Sequence, residues 1–385
     1  MTTDPGGSQG GIPPRLAPAL YPAGRLRAVA EAVRGKGIGA LLLTPGPDLR
    51  YVTGYDAKQL ERLTCLVIPA EGDPFLLVPQ LELKAAQASP ASGLGVEMVS
   101  WGETTSPFGI IKNRLQRPES VALSDQMWAL HVLQFAGIFP GAEQHLASEV
   151  LSPLRVRKSA AEVQALREAG QAIDRVHARV PQWLRPGTTE RQAGAKIAEA
   201  ILGEGHVTVD FVIVGSGPNA ASPHHEVSDR VMQQGDVVVV DIGGTMPSGY
   251  CSDCTRTYAI GEPPADFTKY YAVLKDAQHQ ACDAAGPGVQ AQEVDRVARG
   301  IIAAAGYGDW FIHRTGHGIG LESHEDPYIV SGNAEPLRPG MAFSIEPGIY
   351  PGPHGARIED IVVCTEQGYE RLNNAGRELV CVDIR

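Results

Sequence analysis

The arrangement of apolar and polar positions divides the chain into two regions of different rhythm. Between residues 21 and 36 apolar residues recur at helical spacing, and 40–44 is a short apolar run of strand length. Residues 63–79, LTCLVIPAEGDPFLLVP, are two apolar runs around Glu71, Gly72 and Asp73, the pattern of a hairpin. Strand-length segments at 97–101 and 121–124 alternate with helical ones, so an α/β domain is expected over residues 21–155. The rhythm then lengthens. Ser159 with Glu162 makes a capping box, and Val163, Leu166, Ile173 and Val176 give the apolar stripe of a long helix. A second helix follows Pro186-Gly187-Thr188, and after it come a strand over 211–214 and a glycine-bearing loop.

Residues 237–257, VVVVDIGGTMPSGYCSDCTRT, read as a hairpin: four valines form a buried strand, 246–249 supply the turn, and 250–260 alternate as the returning strand. Folded about Pro247, it sets Asp241 opposite Asp253. The device recurs in AFSIEPGIYPGPHGARIEDIVVCT, residues 342–365, where folding about Gly352 and Pro353 sets Glu346 opposite Glu359. Like charges that face each other beside an apolar strand are destabilising unless a cation lies between them. A single strand acid is ordinarily solvated. Two acid-facing hairpins in one chain point instead to a metal site.

The order of elements also repeats. From Phe267 the pattern gives a long helix, Pro287-Gly288, a second helix to about Gly306, a strand around Phe311, a glycine loop and the second acid hairpin. Pro186 recurs as Pro287 and Gly205 as Gly306 at one interval, and Asp241 and Asp253 recur as Glu346 and Glu359 at nearly the same one. That interval exceeds the periods of solenoid repeats. The expectation is a second domain over 156–385 built of two α/β half-domains related by a pseudo-twofold, with the acid hairpins meeting at the axis.

Composition narrows the function classes. With 385 residues, 43% hydrophobic and 20% charged, the chain has the make-up of an ordinary globular protein of roughly two or three domains. A net charge of −11 without basic clusters argues against a nucleic-acid or anionic-membrane partner. No run of about 18 apolar residues is present to span a bilayer. Residues 1–20 are rich in Gly and Pro and lack a basic segment followed by an apolar one, so they read as a flexible tail rather than a signal peptide. Six cysteines without a regular framework suit a reducing cytoplasm. Cys251 and Cys254 fall inside a strand pattern with no second pair, which argues against a zinc or redox motif.

Between the hairpins lies HRTGHGIGLESHEDP, with His313, His317 and His324 around Gly316, Gly318 and Gly320. The glycines suggest a site loop whose backbone approaches a ligand closely. The earlier loop, VGSGPNAASPHHEVSDR, brings His224 and His225 to the equivalent place in the first half. Its Gly215-x-Gly217 is incomplete as a dinucleotide fingerprint.

With DIGG…GYCSDCTRTY, RTGHGIGLESHE, FSIEPGIY and ARIEDIV in this order, the chain resembles the metal-dependent peptidases of the creatinase/methionine-aminopeptidase, or pita-bread, fold, and within them the Xaa-Pro dipeptidases (prolidases) and aminopeptidases P. YVTGY at 51–55 and the strand after Arg62 are similar to that family's N-terminal domain. The resemblance implies a creatinase-like domain over 21–155 and a catalytic pita-bread domain over 156–385. It also implies that Asp241, Asp253, His317, Glu346 and Glu359 bind two divalent metal ions, bridged by Asp253 and Glu359. Four carboxylates and one imidazole favour Mn²⁺, with Co²⁺ or Zn²⁺ able to substitute. Such a pair holds a bridging hydroxide that attacks the peptide carbonyl before proline. By the same resemblance Glu346 carries the proton, His224 and His324 contact substrate and the tetrahedral intermediate, His313 lines the pocket, and Arg357 braces the acids. A one-residue shift of the loop would put His225 in place of His224. A homodimer and a small peptide substrate with proline at its second position are the family expectation.

Two features depart from the commoner pattern of that family. Asp253 lies one position further from Asp241 than usual, an addition assigned to the turn at Pro247 and Ser248. Many prolidases place an arginine just after the His-Glu pair to grip the free carboxylate of a dipeptide; this chain has Tyr328 there, which leaves Arg338 or an N-domain residue for that role. The nearest alternative activity is aminopeptidase P acting on longer Xaa-Pro-led peptides, followed by a non-peptidase enzyme of the same fold. The full ligand set disfavours a binding protein that has lost the chemistry.

Overall fold

The computed structural model describes residues 17–383. The expected tail thus lies, over residues 1–16, outside the described residues. Its last part is structured: Ala17–Leu20 is a short helix, and Leu20 and Tyr21 are buried. The chain divides into two compact units between Arg155 and Val156.

In the unit that ends at Arg155, a six-stranded sheet runs in the order Glu97–Trp101, Phe75–Pro79, Cys65–Pro69, Ala40–Leu43, Ser120–Leu123, Glu143–Leu146. The Cys65–Pro69 strand is antiparallel to both neighbours, and the remaining pairings are parallel. Every residue of ALLL, CLVIP and FLLVP is buried, as continuous apolar runs require when a sheet is covered on both faces.

The unit that begins at Val156 contains the same order of elements twice. Helices Ala160–His177 and Glu190–Gly203, each opened by a capping box, precede a sheet ordered Val380–Val382, Cys251–Ile260, Val237–Thr245, Thr208–Ser216. Helices Phe267–Ala284 and Ala291–Ala304 precede a sheet ordered Glu325–Ile329, Gly316–Gly318, Ala342–Ile345, Asp360–Thr365, Gly368–Arg371. The strand expected around Phe311 is absent. Gly308–Trp310 is a 3-10 turn, Phe311 is buried beneath the Arg299 guanidinium at 4.3 Å, and the short Gly316–Gly318 strand takes the corresponding place in its sheet.

The first acid hairpin folds one residue later than expected. Gly249 N donates to Met246 O at 2.8 Å and Met246 N to Tyr250 O at 3.0 Å, so the turn centres on Ser248, with Gly249 at φ 88°. Asp241 therefore pairs with Thr255, and Asp253 with Gly243. Moving the centre by one residue shifts each facing pair by two, which keeps the two aspartates on one face because side chains alternate. The expected face-to-face pair is in fact a diagonal one. In the second hairpin Ile345 pairs with Asp360 and Gly348 with Arg357, which leaves Glu346 and Glu359 opposite each other between them. The hairpins are clasped together: Glu359 N donates to Thr255 O at 3.1 Å, Arg357 N to Thr257 Oγ1 at 3.2 Å, and that hydroxyl to Arg357 O at 2.8 Å.

Candidate metal centre

The clasp brings the expected site residues to one cavity of about 560 Å³, lined by Asp241, Asp253, His317, Glu346, Glu359, His224, His313, His324 and Arg357. Atoms of Asp253, His317 and Glu359 lie within 4.8 Å of one another. His317 Nε2 is 3.2 Å from Glu346 Oε1 and 3.7 Å from Asp253 Oδ2. Its Nδ1 faces Gly318 O at 3.1 Å; because a carbonyl can only accept, Nδ1 carries a hydrogen, and Nε2 is turned to the acids, to which it donates when protonated and beside which it could bind a metal once deprotonated.

Asp241, Asp253 and Glu359 are buried, Glu346 is half-buried, and the cluster is incompletely satisfied. Asp241 Oδ2 accepts from Arg357 Nη2 at 2.6 Å and Glu359 Oε2 from the Thr255 hydroxyl at 2.7 Å, yet Asp241 Oδ1 and Glu359 Oε1 have no partner among the described residues. Burial, reinforced by the neighbouring acids, pushes Asp253 and Glu359 well above the usual carboxylate range and raises Asp241 despite Arg357. Burial acts on Glu346 in the same sense, but the His317 hydrogen bond and charge outweigh it and hold that group at about 2. Oxygen-rich, largely desolvated and with two oxygens left unsatisfied, the cluster fits divalent cations, which would offset the repulsion that burial imposes.

Local structure fixes each histidine. A Cβ on Gly316 would run into the Ser344 carbonyl and one on Gly318 into the Asp326 carbonyl. These glycines therefore serve strand-to-strand approach around His317 rather than the ligand-facing loop expected of them. Thr315, two residues before His317, donates from its hydroxyl to Asp295 Oδ1 at 2.8 Å. In the first half Glu190 plays the corresponding part: it accepts from the Ser228 hydroxyl at 2.6 Å and from the Ser216 amide and hydroxyl at 2.7 Å. His225 Nε2 lies 2.7 Å from Glu190 Oε2, so His225 is turned to the anchor while His224 lines the cavity. Burial alone would raise Glu190, but these donors, Ser228 foremost, bring it down to about 2.

His324 packs edge-on to His317 with ring centroids 4.0 Å apart, and burial, then the His317 charge, lowers it to about 4. Arg357 Nη1 donates to Tyr350 Oη at 2.9 Å, and Tyr350 Oη lies 3.0 Å from His313 Nε2. His313 Nδ1, 2.7 Å from Arg314 O, carries the ring hydrogen, so the Tyr350 hydroxyl is the donor to Nε2. Sequence reasoning missed Tyr350, Glu190 and Asp295, and the lining residues Phe211, Ile213, Pro223 and Arg314. Period-two spacing within a recognised strand was an available signal for Phe211 and Ile213. Arg338, one of the two candidates for the carboxylate grip, is exposed and is not part of the lining.

A duplicated helix-pair and hairpin fold, with four acids and an imidazole gathered at the join, defines the metallopeptidase class, and the chain belongs to it. Metallopeptidase family M24 matches residues 164–366, and the Creatinase/Prolidase N-terminal domain matches 25–157. The protein is accordingly a peptidase, a hydrolase, with a creatinase-type α/β N-terminal domain and an M24 C-terminal domain. It is 52% identical over 362 residues to the probable dipeptidase PepE of Mycobacterium tuberculosis, covering 94% of this chain and 96% of that one. It is 36% identical over 361 residues to the Xaa-Pro dipeptidase of Lactobacillus delbrueckii subsp. lactis, covering 91% and 96%. The crystal structure of dipeptidase PepE from Mycobacterium ulcerans superposes with a TM-score of 0.89 at 54% identity, over 94% of this chain and 98% of that one. No helix among the described residues is long and apolar enough to cross a membrane.

Proposed function

We propose that the protein is a dinuclear-metal Xaa-Pro dipeptidase that cleaves the peptide bond before proline. The observation that carries this reading is the pair of buried oxygens Asp241 Oδ1 and Glu359 Oε1, without a partner among the described residues, in the cavity of His317 and Glu346. Asp241, Asp253, His317, Glu346 and Glu359 would hold two divalent ions, Mn²⁺ by donor chemistry, with Co²⁺ or Zn²⁺ as substitutes. Such ions polarise the scissile carbonyl and make water nucleophilic near neutral pH.

The chain's own residues do the rest. Glu346, held ionised, takes the proton of the attacking water on a carboxylate oxygen and returns it to the leaving imide nitrogen. His324, neutral at pH 7, donates an N–H to the carbonyl oxygen as it gains charge, together with His224. Arg357 and Tyr350 hold Asp241 and His313 in place. Phe211, Ile213 and Pro223 offer an apolar wall to the prolyl ring, whose nitrogen carries no hydrogen that a pocket must satisfy. Domain limits of 21–155 and 156–385 are supported by the division at Arg155 and Val156. Six free cysteines support a reducing, cytoplasmic setting. Leu130 and Leu133, exposed at 51% and 72%, support a homodimer.

Initial rates of metal-stripped protein, with and without Mn²⁺, on Ala-Pro, Ala-Ala and Ala-Pro-Ala test the proposal. Mn²⁺-dependent cleavage is expected to be fastest on Ala-Pro. Preference for Ala-Pro-Ala would make the enzyme an aminopeptidase P, the reading that Tyr328 in place of an arginine favours. Metal binding without cleavage of any of the three would remove the substrate class.

A further inference from the structure

We propose that Arg314, laid against the ring of Tyr328, is the carboxylate anchor of the cavity and restricts the enzyme to substrates whose free carboxylate falls at that point. The proposal rests on the dipeptidase reading and deepens it.

Two arginines line the cavity. Arg357 is fully engaged, with hydrogen bonds to Asp241, Tyr350, Thr255 and the Pro223 carbonyl. Arg314 is half-buried, and among the described residues no hydrogen bond or ion pair holds its guanidinium; its one ring contact is with Tyr328, 4.5 Å from the centroid. Beside Arg357, the other half-buried or buried arginines of this unit each face an acid: Arg167 faces Glu370, Arg230 Asp236, Arg299 Asp295, and Arg256, Arg371 and Arg377 all face Asp360.

Stacking on an aromatic face fixes the plane of a guanidinium while leaving the N–H groups at its edge available. Those edges match a carboxylate with two parallel hydrogen bonds. The platform is rigid on both sides. Tyr328 lies in the Glu325–Ile329 strand, and its carbonyl accepts from Asn333 Nδ2 at 2.7 Å. Arg314 stands between His313, bonded to Tyr350, and Thr315, bonded to Asp295.

Charge completes the argument. Four acids stand at the metal end of the cavity, and Arg314 is the cation in its lining with no acid of its own. A dipeptide zwitterion matches this polarity, with its ammonium towards the acids and its carboxylate towards Arg314. A longer peptide presents a neutral amide at the same place, leaving Arg314 without an anion. Tyr328 thus takes the part of a platform for a cation that comes from the neighbouring segment.

The test uses Mn²⁺-loaded enzyme, wild type and the variants Arg314→Ala, Arg314→Lys and Tyr328→Leu, with bound manganese and circular dichroism as controls on folding. kcat and KM are measured on Ala-Pro and on its C-terminal amide, and binding of proline and of prolinamide is measured by calorimetry. Wild type should prefer Ala-Pro over the amide by about ten- to a hundredfold in kcat/KM, mainly through KM, as a charge-assisted bond implies. Arg314→Ala should bring that ratio close to one, with Arg314→Lys and Tyr328→Leu falling between. An acid-to-amide ratio that survives in Arg314→Ala overturns the proposal while leaving the peptidase reading intact. If wild type cleaves neither substrate, the Xaa-Pro dipeptidase reading falls and the binding arm decides: a preference for proline that Arg314→Ala erases sustains the anchor. A preference that is absent in wild type, or persists in the variant, ends it.

Discussion

Asp241 Oδ1 and Glu359 Oε1 carry most of the argument, because a buried carboxylate oxygen without a donor is unfavourable unless something outside the chain satisfies it. Removing either carboxylate proposed as a shared ligand should therefore remove metal and catalysis together. Asp253→Ala and Glu359→Ala are each expected to lose bound manganese, measured by elemental analysis, and all detectable turnover. His324→Ala should keep its metal and lose about a hundredfold or more in kcat, the loss typical of one oxyanion donor. Retained turnover in Asp253→Ala, or metal loss in His324→Ala, would contradict these roles. The lining acids and histidines were legible in the sequence because short motifs carry them. Arg314, Tyr350 and Glu190 were not, because what each does depends on partners distant in sequence, such as Tyr328, Arg357 and Ser228.

Elements were legible where periodicity is strong and less so where a turn decides register. Pro247 drew the expected fold of the first hairpin one residue too early, and the structure centres it on Ser248. The two aspartates still share a face, since a shift of two leaves parity unchanged. The missing strand at Phe311 is a different failure: an apolar residue beneath an arginine mimics a strand centre by composition alone. What no pattern revealed is the way helix acids hold the histidine loops, Glu190 in one half and Asp295 in the other. Glu190→Gln retains the size of the side chain but not its charge, so the loop bearing His224 should loosen. Expected are normal manganese content, a kcat/KM about tenfold lower, the scale of one lost charged hydrogen bond, and faster amide exchange over residues 216–228. Unchanged exchange would show that Glu190 is not the anchor.

On the scale of the whole molecule, buried ionisable groups tie stability to pH and to metal. His177, buried between Tyr258 Oη at 2.9 Å and Cys254 O at 3.0 Å, is lowered by burial from 6.5 to about 3. In the folded protein it stays neutral down to that value, whereas the unfolded chain takes up a proton below about 6.5. Its contribution to stability is complete above that pH and is lost as pH falls towards 3. Urea midpoints of metal-stripped protein should therefore drop more between pH 7 and pH 4 in wild type than in His177→Gln; equal drops would contradict the assignment. The duplicated architecture itself was visible in the recurrence of Pro186 as Pro287 and Asp241 as Glu346, since both halves must present acids to one place.

Two metal ions are proposed to join the two acid hairpins into one peptidase site. The most direct test is a Mn²⁺ titration of metal-stripped protein in which calorimetric stoichiometry and the rate on Ala-Pro are followed in the same samples. Two ions bound per chain are expected, with activity rising as the pair is completed, and neither ion retained in Glu359→Ala. Full activity with a single ion, or with none, would contradict the two-metal site.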